Sequence, residues 1–110
     1  MAEPLPAKMA RVARAVAAGR YRYTYHGAQQ RIARGIHGHD VETALANGEI
    51  IEDYPHHRYG PACLILGSAT AGDPLHVVCS LREIVDIISV YRPNPDEWEA
   101  DWKTRRRPTA

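Results

Sequence analysis

No run of apolar residues in this chain approaches the roughly twenty needed to cross a bilayer, and none near the start has signal-peptide length. A membrane protein or exported precursor is therefore not expected, and the cytoplasm is the expected location. There is no zinc-ribbon spacing and no P-loop. The two cysteines, Cys63 and Cys79, do not form a C-x-x-C pair, and two buried free thiols are expected in a reducing compartment. Internal repeats are absent, and the only biased segment is a basic run from Lys103 to Arg107. The net charge is only +1, which argues against a uniformly basic nucleic-acid-binding surface.

What is present suits one soluble domain. A chain of 110 residues with 45% hydrophobic and 25% charged content can bury a single core with little to spare. The charge is unevenly placed. Residues 1–40 hold seven basic groups (Lys8, Arg11, Arg14, Arg20, Arg22, Arg31 and Arg34) against Glu3 and Asp40. Residues 41–80 reverse this, with Glu42, Glu49, Glu52, Asp53 and Asp73 against Arg58. This polarity suits an anionic partner at the N-terminal helix and the tail, or simply a solvated helix face and an untidy terminus.

Leu5, Met9, Val12 and Val16 recur as the apolar stripe of an amphipathic helix, with Pro4 and Pro6 at its first turn and Gly19 at its end. Tyr21 to Tyr25 alternates as a short strand, and His26 to Arg34 turns helical until Gly35. Asp40 to Ala46 reads as another short helix closed by Asn47-Gly48. The second half is β-rich, with strands expected at 49–54, 62–67, 75–80 and 84–91 and hairpin-length connections between the earlier ones. The last strand has Val85 and Ile87 on one face and Ile84, Ile88 and Val90 on the other, which predicts an interior position. Glu97 to Arg105 is expected to form a short helix anchored by Trp98 and Trp102. The domain is therefore α+β, with N-terminal helices on a curved, four- to five-stranded antiparallel sheet. Its parts are an amphipathic helix at 1–20, a helix-plus-sheet core at 21–92, and a C-terminal helix and basic tail at 93–110.

Six histidines raise the question of a metal. His37 and His39 flank a glycine and His56-His57 are adjacent, but neither pair has helical i, i+4 spacing or a ligand set that completes a tetrahedral site. No metal and no cofactor are expected. His76 is different, because it sits inside an apolar strand and shares a face with Val78 and Ser80. His26 starts a helix whose register puts Gln30 and Arg34 on its own face and sends Arg31 towards solvent or the acidic 41–53 segment. Each of the two also has a plain structural reading as a hydrogen-bonded polar residue.

These elements, in their order, resemble a known family. Tyr25-His26 leading to Arg34-Gly35-Ile36, then Asp40-Val41, Asn47 to Ile51, Pro74 to Val78, and Ile88 to Pro93 with Trp98 resemble the bacterial domain-of-unknown-function family four-two-five-eight, over about residues 21–106. That family looks like a branch of the RelE and BrnT group of small toxins, some of which are paired with a zinc-finger antitoxin. The resemblance implies a RelE-like fold and metal-independent cleavage of RNA. Family members often carry arginine four residues after the motif histidine, where this chain has Gln30, while the later Arg34 is retained.

Metal-free cleavage of RNA needs a base for the ribose 2′-OH, a cation on the phosphate and an acid for the leaving oxygen. Histidine titrates near neutrality, and arginine presents a fixed fork to phosphate. The expected catalytic set is His26 and His76 as acid and base in either order, with Arg34 on the phosphate. Gln30, Tyr91 and Arg92 complete a substrate-binding set, with Tyr91 stacking on a base or donating a hydrogen bond. The expected function is a toxin-like endoribonuclease with RNA and a small antitoxin protein as partners. The alternatives are a non-catalytic protein-binding module of the same fold, which the near-neutral charge favours, or a small domain whose histidines are structural.

Overall fold

The structure, a computed structural model, describes residues 3–58 and 60–107, so the end of the basic tail lies outside the described residues. Helix α1 (Leu5–Ala17) carries Pro6 in its first turn and buries Met9, Val12, Ala15 and Val16. It ends in a Schellman turn, because Gly19 adopts φ +76 and donates to Val16 O while Arg20 N donates to Ala15 O. Strand β1 (Tyr21–Tyr23) follows, then α2 (Tyr25–Ala33), whose N-cap Thr24 accepts from Gly27 N at 3.0 Å. A second Schellman turn at Gly35 closes α2 and brings Ile36 into the core. Helix α3 (Gly38–Asn47) then leads into β2 (Glu49–Tyr54), β3 (Ala62–Ser68), β4 (Pro74–Ser80) and β5 (Val85–Tyr91). None of the described helices is long and apolar enough to cross a membrane.

The five strands form one sheet in the order β1-β5-β4-β3-β2. Strands β2 to β5 are an antiparallel meander, as their short connections predict. Strand β1 is the correction. It pairs in parallel with β5, Tyr21 opposite Val85 and Tyr23 opposite Ile87, so the sheet is mixed and not purely antiparallel. Short loops constrain only consecutive strands, whereas β1 is followed by helices and meets its neighbour across more than sixty residues.

The main core lies between one sheet face and helices α1 and α3, with Leu45, Ile65, Val77 and Ile87 fully buried. Helix α3 lies directly on the β3 backbone, because a Cβ at Gly67 would fall within 2.6 Å of the Ala44 carbonyl carbon. Only glycine permits that approach. Asp40, near the start of α3, accepts from Thr70 N at 3.0 Å and so ties the β3–β4 turn to the helix. Cys63 and Cys79 are directly opposite in the β3–β4 register, and both are buried free thiols.

Two expectations for the later chain need correction. In β5, Val78 pairs with Ser89 but Cys79 pairs with Ile87, which leaves Ile88 as a bulge. The extra residue changes the parity of the strand, so Val85, Ile87 and Val90 all join the main core and Ile84 lies outside, exposed. The segment expected as a helix at 97–105 is instead a tight return. Asp101 accepts from Lys103 N, Thr104 N and Thr104 Oγ1, an Asx-type arrangement that competes with helical bonding. Glu99 N donates to Thr104 O, Trp98 bridges Arg105, and Trp102 takes a left-handed φ of 61.

Candidate functional site

Residues directly opposite in neighbouring strands share a face, so Leu66, His76 and Tyr91 form one row on the sheet face away from α1 and α3. The C-terminal return folds over this row and buries Trp98 against it. His76 is completely buried there. Its ring meets Trp98 edge-on at a 4.5 Å centroid distance and Tyr91 at 5.2 Å. Its Nε2 lies 2.7 Å from Trp102 O and its Nδ1 3.2 Å from the Tyr91 hydroxyl. A carbonyl can only accept, so Nε2 carries the proton and the neutral ring accepts from Tyr91 through Nδ1. Burial holds the imidazole pKa below its ordinary value, against the opposing pull of the Trp102 carbonyl and Glu52. Burial likewise raises the Tyr91 phenol, which stays protonated.

Beside His76, Glu52 receives a bidentate grip from Arg105, 2.7 Å from Nε and 2.9 Å from Nη2, and a further bond from the Tyr54 hydroxyl. That grip holds the Glu52 carboxyl below its usual range. The Arg105 guanidinium also lies 4.6 Å over the Trp98 ring. Lys103 pairs with Glu49 and Arg106 with Glu99. The described part of the basic tail is thus tied to strand β2 and to its own turn.

Helix α2 lies along the free edge of the outer half of β5, and its side chains meet that strand's backbone. Thr24 donates to Ile87 O and Ile88 O at 3.4 Å. Gln30 Oε1 accepts from Ser89 Oγ at 2.7 Å and from Val90 N at 3.1 Å. Arg34 Nη1 donates to Val90 O at 2.7 Å, and Arg92 Nη1 donates to Arg34 O at 2.8 Å. This accounts physically for glutamine at position 30. An arginine has no acceptor and would leave the Val90 amide and the Ser89 hydroxyl without a partner.

At the end of β5 these parts enclose an open cleft of about 460 Å³, lined by Arg34, Tyr91, Arg92, Glu97, Trp98 and Arg105. Arg34 and Arg92 are anchored on neutral carbonyls and have no carboxylate within 4.0 Å among the described residues. Neither guanidinium is ion-paired, and the cleft lining holds three arginines against the single carboxylate of Glu97. Arg92 is further favoured by its place at the C-terminal end of α2. The arrangement can bind an anion between two guanidiniums and offers the phenol oxygen of Tyr91 as an acceptor for a hydroxyl beside it.

The chain matches the model of a family described as Domain of unknown function (DUF4258) over residues 23–92. It belongs to that family. No curated protein and no solved structure matches the chain. The DUF4258 match runs from the last residue of β1 to just past β5, and so includes Arg34, Tyr91 and Arg92 but not Trp98 or Arg105.

Of the residues expected from the sequence, the fold brings Arg34, Tyr91 and Arg92 to the cleft and places His76 directly behind Tyr91. Gln30 is engaged on the β5 edge. His26 is exposed in the first turn of α2, eight residues before Arg34, which is about 12 Å along the helix axis. Arg31 does not face solvent or the acidic segment. It donates to Ile36 O and lies 5.3 Å over the Tyr23 ring. Glu97, Trp98 and Arg105 were not anticipated as site residues. The one sequence signal for Arg105 was the match between an acidic 41–53 segment and a basic 103–107 segment. Among the described residues no group of three His, Cys, Asp or Glu is placed to hold a metal.

Proposed function

We propose that the cleft grips the phosphodiester backbone of single-stranded RNA and that the chain is a toxin-like, metal-independent endoribonuclease. The observation that carries this reading is the pair of guanidiniums without an ion-pair partner among the described residues, Arg34 and Arg92, in one cleft with the Tyr91 phenol. Arginine forks match phosphate oxygens and stabilise the extra charge that builds on phosphorus during transfer. The resemblance of the motifs to RelE and BrnT toxins supports the same class, and a small antitoxin protein would be its partner.

The Tyr91 hydroxyl donates to His76 Nδ1, so its lone pairs are free to accept the proton of a ribose 2′-OH in the cleft. The phenolic proton then passes to His76, which serves as a relay without touching substrate. The 2′-oxygen attacks phosphorus, the bond from phosphorus to the 5′-oxygen breaks, and that oxygen takes a proton from water in the open cleft, while the hydroxide so formed takes a proton from Tyr91 and His76 returns its own to the phenol. The products are a 2′,3′-cyclic phosphate and a free 5′-hydroxyl. A second reading, a non-catalytic binding module, is favoured by the complete burial of His76, which costs energy to protonate.

One experiment separates these readings: binding and cleavage of labelled single-stranded RNA in the presence of a chelator. The combined Arg34→Ala and Arg92→Ala variant is expected to lose about tenfold or more in affinity, with a shallower salt dependence. Tyr91→Phe is expected to keep binding and lose cleavage. Binding without cleavage by the parent protein refutes the nuclease, and neither activity refutes the RNA reading altogether and favours the protein-binding module.

A further inference from the structure

A second concentration of arginines lies at the other end of β5, away from the cleft and independent of the proposal above. The loop before β5 meets the end of α1 and the start of β1 around two adjoining concavities that share Arg20, Arg82 and Glu83. One, of about 230 Å³, has Arg11 and Arg14 on its walls and Val12, Ala15, Leu81 and Val85 as apolar lining. The other, of about 540 Å³, is lined by Tyr21, Arg22 and Ile84 beyond the shared residues and Gly19. Arg11 is paired with Glu3 at 2.7 Å, while Arg22 and Arg82 share the single carboxylate of Asp86 at 2.8 and 3.6 Å. Arg14 and Arg20 have no carboxylate within 4.0 Å among the described residues. The positive charge therefore exceeds the negative.

Two features distinguish this surface from a grip on nucleic acid. Ile84 is 48% exposed and stands on the rim, a large apolar side chain for which phosphate has no use. The other wall is β1, the edge strand of the sheet. Its parallel ladder to β5 uses alternate residues, as the bonds from Val85 N to Arg20 O and from Thr24 N to Ile87 O show. The peptide groups of Tyr21 and Tyr23 between them therefore point to the open edge.

We infer that this groove binds an extended acidic peptide segment of a partner protein, with an apolar side chain against Ile84, carboxylates on Arg14 and Arg20, and backbone pairing along β1. Main-chain bonds to an open edge supply affinity, and the flanking charges select the sequence.

The test uses the full chain and a fluorescent ten-residue peptide of alternating glutamate and valine, read by anisotropy. Binding is expected in the micromolar range, weakened about tenfold by the paired Arg14→Ser and Arg20→Ser changes and by Ile84→Asp. Backbone amide resonances of Tyr21 and Tyr23 are expected to shift on titration. All three substituted residues are exposed, so folding is retained, and circular dichroism checks it. Equal binding of a lysine–valine peptide, indifference to both variants, or displacement of the acidic peptide by an oligouridylate of ten nucleotides overturns the inference. The last result would make the groove an RNA surface.

Discussion

Replacing His76 with glutamine should make the stability of the domain less sensitive to mild acid. The folded protein surrounds the imidazole with a carbonyl, a phenol and two aromatic rings, and burial depresses its pKa from the ordinary 6.5. Above about pH 6.5 the ring is neutral in both states and contributes no pH dependence. As pH falls below that value the unfolded chain takes up a proton that the folded chain refuses, so stability drops. The slope cannot exceed about 1.4 kcal/mol per pH unit for one proton. If the folded ring stays neutral throughout, the loss between about pH 7.5 and about pH 5.5 is roughly 1.4 kcal/mol. The Glu52, Asp86 and Asp40 carboxyls are also held below their ordinary values, but their stabilisation is lost only at pH below the ordinary carboxylate range of 3.8 to 4.5. The window between about pH 5 and 7 is therefore specific to the imidazole. Glutamine can still donate to the Trp102 carbonyl but does not titrate. Urea unfolding of both proteins at several pH values gives the comparison. Parallel loss of stability in parent and variant would refute the placement of a neutral, buried ring at this position.

Gly67→Ala is expected to destabilise by about 1–3 kcal/mol, towards the upper end because the obstruction is α3 backbone and not a movable side chain. A lowered urea midpoint with unchanged slope checks it. Gln30→Arg is expected to cost about 1–3 kcal/mol, because the Val90 amide and Ser89 hydroxyl lose their acceptor. Hydrogen exchange at the Val90 amide should accelerate in that variant, and unchanged protection would count against the account.

Much of the fold was legible because it rests on local signals. Proline and glycine mark both ends of α1, and alternation with short turns marks the meander. The parallel pairing of β1 was not legible, since its partner lies more than sixty residues away and no turn connects them. The turn at 97–105 read as a helix because Trp98 and Trp102 have helical spacing, while the decisive bonds come from the single side chain of Asp101. For the cleft, Arg34 was legible from the register of the helix that His26 starts, and Tyr91 and Arg92 from their place at the end of the last strand. His76 was named as well, but its partner is a backbone carbonyl at Trp102, and no side-chain pattern announces a carbonyl. Arg105 reaches the cleft through its bond to Glu52 on β2, a relation of charges that sequence order hides.

The bulge at Ile88 bears on how this family should be compared. Tyr91 faces the cleft and Val90 the core only because one unpaired residue precedes them. Draw Ile88 into regular pairing with β4 instead, and a phenol and an isopropyl group exchange places although every amino acid remains in the chain. The cleft is therefore encoded by the pairing register of the strand as much as by residue identity. A relative that shares Arg34, Tyr91 and Arg92 but has a gap at position 88 would present the same faces, whereas one that pairs every residue of β5 would turn Tyr91 into the core.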